Sequence, residues 1–171
     1  MSYVIVSAAT KDSRYVECLE EQRRRHGSRF VGLVVRDRGS WGENTKIKPE
    51  ALRTVFAQGA EVALWVDADC EVEAPYYLPE GSWDVGVIDN IHPAHVNRIS
   101  AGFILFRNTG ATDRFLRVWE QNMRHTKTDH SPLMRAISKS PVIGVEVKNV
   151  TDWLRGKHAI NVYAPERGEV R

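Results

Sequence analysis

The sequence predicts an α/β domain with a mixed, mostly parallel β-sheet flanked by helices. Between residues 3 and 66, apolar runs of strand length alternate with helical patterns in the order strand, helix, strand, helix, strand. The connections between these runs are short, and such an alternation is typical of parallel strands joined by crossover helices. The second half is less regular, but it also contains strands and amphipathic helices. We therefore expect one α/β domain over residues 1–171.

The first part of the sequence predicts two strands with a helix between them. Tyr3–Thr10 and Phe30–Val35 are short apolar runs that match buried strands. Asp12 or Ser13 can cap a helix between them that runs to about Arg25, and the arginines at its end suit the negative end of the helix dipole. This pattern predicts a strand, a helix and a second strand in that order.

The second helix and the third strand follow a polar segment. Arg36–Lys48 is rich in Gly, Asn and Ser and is predicted to be a loop. Pro49 is expected in the first turn of a helix, where its missing N–H costs nothing, and Gly59 is expected to end that helix. The apolar run Ala63–Val66 is the third strand, and it leads directly into two aspartates.

The second half of the chain is expected to contain three further strands and two helices. The helices are amphipathic, and Asp129 is expected to be the N-cap of the second one, with Pro132 in its first turn. The residues after that are predicted to end in an irregular tail. The predicted strands are Trp83–Asp89, Ile99–Arg107 and Val142–Val147, the helices are Asp113–Met123 and Asp129–Ser138, and the tail is Trp153–Arg171.

Composition excludes several classes of protein. The chain has 171 residues, 42% of them hydrophobic and 27% charged, which is ordinary for a globular domain and too apolar for a disordered one. A net charge of +2 predicts neither nucleic-acid nor membrane binding. Two cysteines form no disulfide framework or zinc motif. Because the sequence has no signal-peptide pattern and no apolar run of ~20 residues, we expect a cytoplasmic protein without a membrane span.

The segment ALWVDADCEV carries the clearest chemical signal. Asp67 and Asp69 follow a buried strand, and residues two apart on a strand point to the same side. Two carboxylates aimed at one point repel unless a cation compensates them, and oxygen ligands favour Mg²⁺ or Mn²⁺. Alternatively, Asp67 caps a polar turn and Asp69 is solvated. The neighbouring Cys70 is expected to be only a small buried side chain.

Four stretches together resemble the GT-A-fold glycosyltransferases, which move a sugar from a nucleotide diphosphate to an acceptor. VALWVDADCEV resembles their DxD segment, and WGENTKIKPEALRTVFAQG resembles the lysine-bearing segment and helix before it. ISAGFILFRNT resembles the strand that lines the donor-sugar and acceptor cleft. TDHSPLMRAI resembles the Asp-Gln-x-x-Leu helix start of the retaining members, with His130 where Gln is commoner. The matches cover most of the chain in the family's order, although the chain is short for this family.

The resemblance implies a function and a set of site residues. It implies a hexosyltransferase that uses Mn²⁺ or Mg²⁺ and a nucleotide-diphospho-sugar, with UDP commoner in the family than GDP, and an acceptor that is a glycan, a protein or a small molecule. Transfer with retention follows from TDHSPLMRAI. The implied metal ligands are Asp67 and Asp69. The implied nucleotide-sugar contacts are Ala8, Ala9, Thr10, Lys46, Lys48, Asp67, Ala68, Ser100 and Gly102.

Further assignments depend on the resemblance, and most of them have a simpler structural alternative. His158 matches the C-terminal histidine that often supplies a third metal ligand. Asp129 is the implied polar group at the sugar carbon, although a helix N-cap explains it equally. His92 and His95 either contact the acceptor or decorate a loop. Lys46 and Lys48 are otherwise ordinary surface lysines in front of a helix.

Other functions remain as alternatives. A haloacid-dehalogenase-type phosphatase also carries a DxD after a strand, but there the motif follows the first strand, whereas here two strand–helix units precede it. A nucleotidyltransferase is expected to have a Gly-rich phosphate loop, and SAATKDSRY has none. The non-enzymatic alternative is a GT-A-fold module that binds a sugar nucleotide or a glycan without turnover.

Overall fold

The computed structural model of the chain describes residues 3–72, 77–89, 99–154 and 159–161. Its strands are β1 (Val4–Thr10), β2 (Phe30–Val35), β3 (Val62–Val66), β4 (Cys70–Val72), β5 (Val85–Asp89), β6 (Ile99–Arg107), β7 (Val147–Asn149) and β8 (Ala159–Asn161). Its helices are α1 (Tyr15–His26), α2 (Trp41–Thr45), α3 (Lys48–Ala57), α4 (Gly110–Met123), α5 (His130–Lys139) and α6 (Thr151–Leu154).

The main sheet is mixed and mostly parallel, as the sequence predicts. Its six described strands lie in the order β2-β1-β3-β6-β5-β7. β1 pairs in parallel with both β2 and β3, and β5 pairs in parallel with β7. β6 is antiparallel to β3 and to β5, so it alone runs against the other five. A separate small sheet pairs β4 with β8 in antiparallel fashion.

Helices cover both faces of the sheet and create two hydrophobic cores. One core contains Leu64 of β3 with Leu19 of α1 and Trp153 of α6. The other contains Trp65 of β3 with Leu52 of α3, and with residues of α4 and α5. Because neighbouring strand residues point to opposite faces, β3 contributes to both cores and every one of its residues is buried. The central position of β3 therefore explains its uninterrupted apolar sequence.

Two local predictions in the first half differ from the structure. The predicted loop before Pro49 contains helix α2, whose N-cap Ser40 accepts a hydrogen bond from the Glu43 N–H. Neither Asp12 nor Ser13 caps α1. The helix begins at Tyr15, so Arg14 is at the N-cap position, and the Ser13 hydroxyl donates to the Thr10 carbonyl instead. Local hydrogen bonds that the periodicity does not encode cause both differences.

Two boundaries in the second half also differ. Helix α4 begins at Gly110 rather than Asp113, because the Thr109 hydroxyl accepts from the Thr112 N–H and caps the helix earlier. The predicted strand over Val142–Val147 is wrong, since the ladder with β5 covers Val147–Asn149. The residues before it form turns, and Val142 is 88% exposed.

The helices of the described chain are short. The longest, α4, has 14 residues, and none of those described has both the length and the apolar character needed to cross a bilayer. Cys18 and Cys70 are both buried as free thiols. Burial raises the pKa of the Cys70 thiol above its ordinary value, and the charge of Asp67 adds to that effect. Cys70 is thus a small buried side chain, as expected.

Candidate functional site

A cleft of about 140 Å³ opens where β1, β2 and β3 end. These three strands are parallel, so their carboxyl ends meet at one edge of the sheet, where ligands of open α/β sheets usually bind. The cleft is lined by Ala8, Ala9, Thr10, Tyr15, Val35, Trp41, Asn44, Thr45, Ile47, Lys48, Trp65, Asp67, Ala68 and Asp69. The two aspartates of the DxD segment therefore face the same space as the end of β1.

The two aspartates lie on a turn rather than on a strand. β3 ends at Val66, and the Cys70 N–H donates to the Asp67 carbonyl at 2.9 Å, which closes the turn. The Asp67 N–H donates to the Gly102 carbonyl of β6 at 2.9 Å. The two-residue alternation of a strand is thus not what brings Asp67 and Asp69 together. The turn after β3 does so.

A buried glutamine on α1 holds this turn. The Gln22 amide donates from Nε2 to the Ala68 carbonyl at 3.3 Å and to the Cys70 carbonyl at 3.0 Å. These two carbonyls lie on either side of Asp69, and Gln22 is only 4% exposed. Buried polar groups are stable when hydrogen-bonded, so this amide ties α1 to the backbone that carries Asp69.

Lys48 is the cation that compensates Asp67 in this structure. Its Nζ lies 2.8 Å from Asp67 Oδ1 and 2.6 Å from Asp129 Oδ2, and it donates to the Ala101 carbonyl at 2.8 Å. The two carboxylate contacts are ion pairs, and the bond to the Ala101 carbonyl anchors the ammonium to β6. Lys48 is only 3% exposed, so it is not the ordinary surface lysine that was the alternative interpretation of the sequence.

The surroundings shift two pKa values in the site. Burial by itself would lower the pKa of the Lys48 ammonium, but the charges of Asp67 and Asp129 outweigh it and raise the pKa above its ordinary value. The pKa of the Asp69 carboxyl is also raised, first by desolvation and then by the negative charge of Asp67. Lys48 is therefore firmly charged, while the ionised form of Asp69 is poorly compensated.

This charge distribution fits a divalent cation. With Asp67, Asp69 and Asp129 ionised, the one ammonium of Lys48 leaves two negative charges uncompensated within this group of four side chains. Carboxylate oxygens suit Mg²⁺ or Mn²⁺, and Mg²⁺ commonly takes one or two carboxylates and completes its shell with water and phosphate oxygens. Among the described residues, neither this site nor any other brings three histidine, cysteine or acidic side chains together as a complete set of metal ligands.

Asp129 is at the N-cap position of α5, as predicted, but its side chain does not cap the helix. The carboxylate accepts no capping hydrogen bond and pairs with Lys48 instead. The Asp129 carbonyl accepts from the Trp119 indole at 2.9 Å, which fixes the start of α5 against α4. The Asp129 side chain is 7% exposed and is not among the residues that line the cleft.

Gly102 of β6 lies next to Asp67, and Ser100 of the same strand contacts Gly102. A Cβ at Gly102 would lie 3.1 Å from Asp67 Oδ2, so a larger residue there would make this carboxylate shift by a few tenths of an ångström. The Ser100 hydroxyl accepts from the Gly102 N–H at 3.1 Å. Neither residue lines the cleft described above, and both support Asp67 from the β6 side.

The remaining predicted residues divide into three groups. Ala8, Ala9, Thr10 and Ala68 line the cleft. Lys46 pairs with Glu43 on α2 and does not line it. The candidate third metal ligand and the two loop histidines lie outside the described residues; these are His158, His92 and His95.

Sequence reasoning did not single out three residues of the site. The Trp65 indole donates to Asp67 Oδ1 at 2.7 Å, and its position two residues before Asp67 is the signal that was available. Gln22 follows Leu19 and Cys18 at helical spacing, which places it on the buried face of α1. Trp41 lines the cleft from α2, and nothing local indicated it because that helix was predicted to be a loop.

Comparison with solved structures adds a fold assignment. The chain is similar to a glycosyltransferase involved in the glycosylation of the major capsid of PBCV-1, with a TM-score of 0.66 over 86% of this chain and 80% of that one. The chain has a GT-A-like α/β fold. It is also similar to the glycosyltransferase GlyE of Streptococcus pneumoniae TIGR4, with a TM-score of 0.53 over 90% of this chain and 46% of that one.

These similarities concern the GT-A-like fold and not the sequence. Identity to each of the two glycosyltransferases is 12%. No protein-family model and no curated protein matches the sequence. Fold alone does not determine function, so activity has to be argued from the site.

Proposed function

We propose that this GT-A-like chain is a metal-dependent glycosyltransferase. It moves a hexose from a nucleotide-diphosphate donor to an acceptor, with a UDP-sugar favoured over a GDP-sugar and with retention of configuration. The observation that carries this proposal is the cleft at the ends of β1 and β3, in which Lys48 meets Asp67 beside the poorly compensated Asp69. Such a site suits a ligand that carries phosphates together with a divalent cation.

Asp67 and Asp69 would hold Mn²⁺ or Mg²⁺, with His158 as the proposed third ligand. When bound, the metal supplies positive charge that stabilises the departing nucleotide diphosphate. The protein contributes the fixed position of its carboxylates, since Gln22 and Gly102 hold the backbone around them. Preorganised charge of this kind is a major source of catalysis because it needs no rearrangement during the reaction.

The end of β1 would hold the nucleoside. Ala8 and Ala9 are small, so they leave room for a flat ring, and Thr10 ends the strand with a hydroxyl. The diphosphate would then lie toward Asp69 and Ala68, and the sugar would lie toward Ser100 and Gly102 on β6. Lys48, and at a greater distance Lys46, would add positive charge on the phosphate side.

Asp129 is the proposed carboxylate at the sugar carbon, where it would stabilise an oxocarbenium-like transition state. Its pairing with Lys48 keeps it in a defined position, 2.6 Å from that ammonium. Because the side chain is 7% exposed, a sugar reaches it only after the residues that cover it have moved. The proposed catalytic role therefore includes a rearrangement around the ion pair of Lys48 with Asp129.

That burial also favours a second candidate function. A GT-A-fold module that binds a sugar nucleotide or a glycan without turnover needs no accessible carboxylate, and within the described residues the side chain of Asp129 pairs with Lys48. In such a module the ion pair would serve stability alone. Turnover of a bound donor distinguishes the two candidates.

A panel of UDP-sugars and GDP-sugars tests the proposed function, measured by thermal shift with and without Mn²⁺. We expect at least one nucleotide sugar to raise the melting temperature only in the presence of Mn²⁺, and to be hydrolysed slowly to the free nucleotide. Asp69→Ala should abolish both effects, whereas the control Asp113→Ala, in an exposed ion pair on α4, should retain them. Binding without hydrolysis would favour the module, and no Mn²⁺-dependent binding would refute both.

A further inference from the structure

Trp65 differs from the other buried tryptophans in what its indole contacts. Its N–H donates to a charged side chain of the cleft, at 2.7 Å from Asp67 Oδ1. The other three donate to backbone carbonyls; these pairs are Trp83 with Pro79, Trp119 with Asp129 and Trp153 with Tyr77. Because a backbone carbonyl is enough to satisfy a buried indole, that requirement alone does not explain why Trp65 contacts a carboxylate.

Two buried donors hold the same oxygen of Asp67. The Lys48 ammonium lies 2.8 Å from Oδ1, and the Trp65 indole nitrogen lies 2.7 Å from it. Among the described residues, none donates a hydrogen bond to the second oxygen, Oδ2. The Asp67 side chain is 34% exposed, whereas the side chains of both donors are buried. Oδ1 is thus turned toward the interior, and Oδ2 is the oxygen left for a ligand.

The two donors differ in how firmly they fix a direction. The Lys48 ammonium ends a flexible four-carbon side chain, and it is shared with the carboxylate of Asp129. Trp65 is a rigid ring in the core, on a strand that is paired with β1 on one side and with β6 on the other. An indole has a single N–H, and the ring sets its direction. Trp65 therefore restricts the rotation of the Asp67 carboxylate more than the ammonium does.

We infer that Trp65 is a positioning residue, which holds the Asp67 carboxylate so that Oδ2 alone faces a bound metal ion. This inference rests on the proposed function, because it concerns the Mn²⁺ or Mg²⁺ that Asp67 and Asp69 would hold. A carboxylate that presents one oxygen occupies one position around the ion and leaves the others for water and phosphate oxygens. Groups that orient a metal-binding side chain without touching the metal commonly change metal affinity by about tenfold or more.

The NMR signal of the Trp65 indole N–H tests the contact directly. Nitrogen-15 labelling of tryptophan gives one indole signal for each of the five tryptophans, and Trp65→Phe identifies that of Trp65. Asp67→Ala gives the position of this signal when the indole has lost its acceptor. With saturating Mg²⁺ and UDP the signal should stay away from that position, because the metal takes Oδ2 while the indole keeps Oδ1. A move to that position would show that metal binding separates Asp67 from Trp65, and it would overturn the inference.

Mn²⁺ affinity at saturating UDP, measured by electron paramagnetic resonance, provides the second arm. Trp65→Phe should weaken it roughly tenfold, while UDP affinity at saturating Mn²⁺ should stay within about threefold of the parent. Trp83→Phe is the matched control, since Trp83 is also 2% exposed but donates to the Pro79 carbonyl and does not line the cleft. It should leave both affinities unchanged. Benzothienylalanine in place of Trp65 keeps the two fused rings without the N–H, so it should weaken Mn²⁺ binding even if Trp65→Phe does not fold.

The outcomes separate this inference from the proposed function. If the parent binds UDP with Mn²⁺ and the variant without the indole N–H binds Mn²⁺ equally well, Trp65 only packs the core, and the inference is refuted while the function stands. Equal losses of Mn²⁺ affinity in Trp65→Phe and Trp83→Phe would attribute the effect to core packing and would also refute it. If the parent binds neither UDP nor GDP with Mn²⁺, the proposed function fails, and the inference fails with it.

Discussion

At the scale of single residues, Lys48 determines the charge balance of the site. It is buried, and its ammonium contacts the carboxylates of Asp67 and Asp129 within 2.8 Å. A buried ion pair of this kind contributes little relative to an apolar alternative, but removing one partner leaves a charge without compensation. Removing Lys48 should therefore destabilise the protein, because Asp67 and Asp129 lose the charge that compensates them.

Replacing Lys48 with methionine should strongly destabilise the protein. The change keeps the length of the side chain but leaves Asp67 and Asp129 without their cation, at a cost of about 3–5 kcal/mol. Urea unfolding at neutral pH measures this loss. The control Lys46→Met removes a partner of the half-exposed Glu43 and should cost less than about 1 kcal/mol. Equal losses in the two variants would contradict the assignment.

Asp69 should make the protein less stable as pH rises. Desolvation and the charge of Asp67 raise the pKa of its carboxyl in the folded state, so the folded protein holds this proton more tightly than the unfolded chain does. By linkage, stability falls as pH increases from the unfolded pKa through the raised folded pKa, and the penalty is complete above it.

Asp69→Asn should therefore stabilise the metal-free protein at neutral pH. The gain should vanish once pH falls below the ordinary aspartate pKa, and denaturant unfolding across pH without added metal measures it. Asp37 is the control, because hydrogen bonds from Asn44 and Gly39 lower the pKa of its carboxyl. Asp37→Asn should not stabilise the protein at neutral pH. A loss of stability in Asp69→Asn would show that the carboxylate is well compensated without metal.

At the scale of elements, helix α1 positions the turn that carries Asp69. The Gln22 amide donates to the carbonyls of Ala68 and Cys70, so it links the helix to the turn. The contact joins residues that are far apart in sequence, and it comes from the buried face of α1. We expect this link to affect both stability and metal binding.

Gln22→Met should test the link with little change in shape. The substitution keeps helix propensity and side-chain volume but removes the donor from two buried carbonyls, at a cost of roughly 1–3 kcal/mol in unfolding free energy. Mn²⁺ affinity, measured by electron paramagnetic resonance, should also fall because the turn loosens. Gln121→Met, on the exposed side of α4, should leave both quantities unchanged. Unaltered Mn²⁺ affinity in Gln22→Met would reduce Gln22 to a packing residue.

At the scale of the whole molecule, topology creates the site. β1, β2 and β3 are parallel neighbours, so residues that follow three separate strands converge at one edge of the sheet. The antiparallel strand β6 enters beside β3 and brings Gly102 against Asp67. Two glycosyltransferases with 12% identity have a similar fold, so the fold tolerates wide change in sequence.

Much of the fold was predictable because strands and helices have recognisable patterns in the local sequence. β3 is buried on both faces and is therefore continuously apolar, and α3 has its proline at the start and Gly59 beyond its end. The strand Val142–Val147 was predicted wrongly because apolar composition alone does not determine pairing. Its ladder begins only at Val147, where β5 is available as a partner.

The sequence by itself determined the alternation of strands and helices and the place of the DxD segment after β3. Only the tertiary structure decided what the charged side chains do. Asp129 could be a helix cap by local criteria, but its carboxylate lies against Lys48, which comes from a helix distant in the chain. Patterns of burial are local and can be read along the chain, whereas an ion pair depends on which elements meet in space.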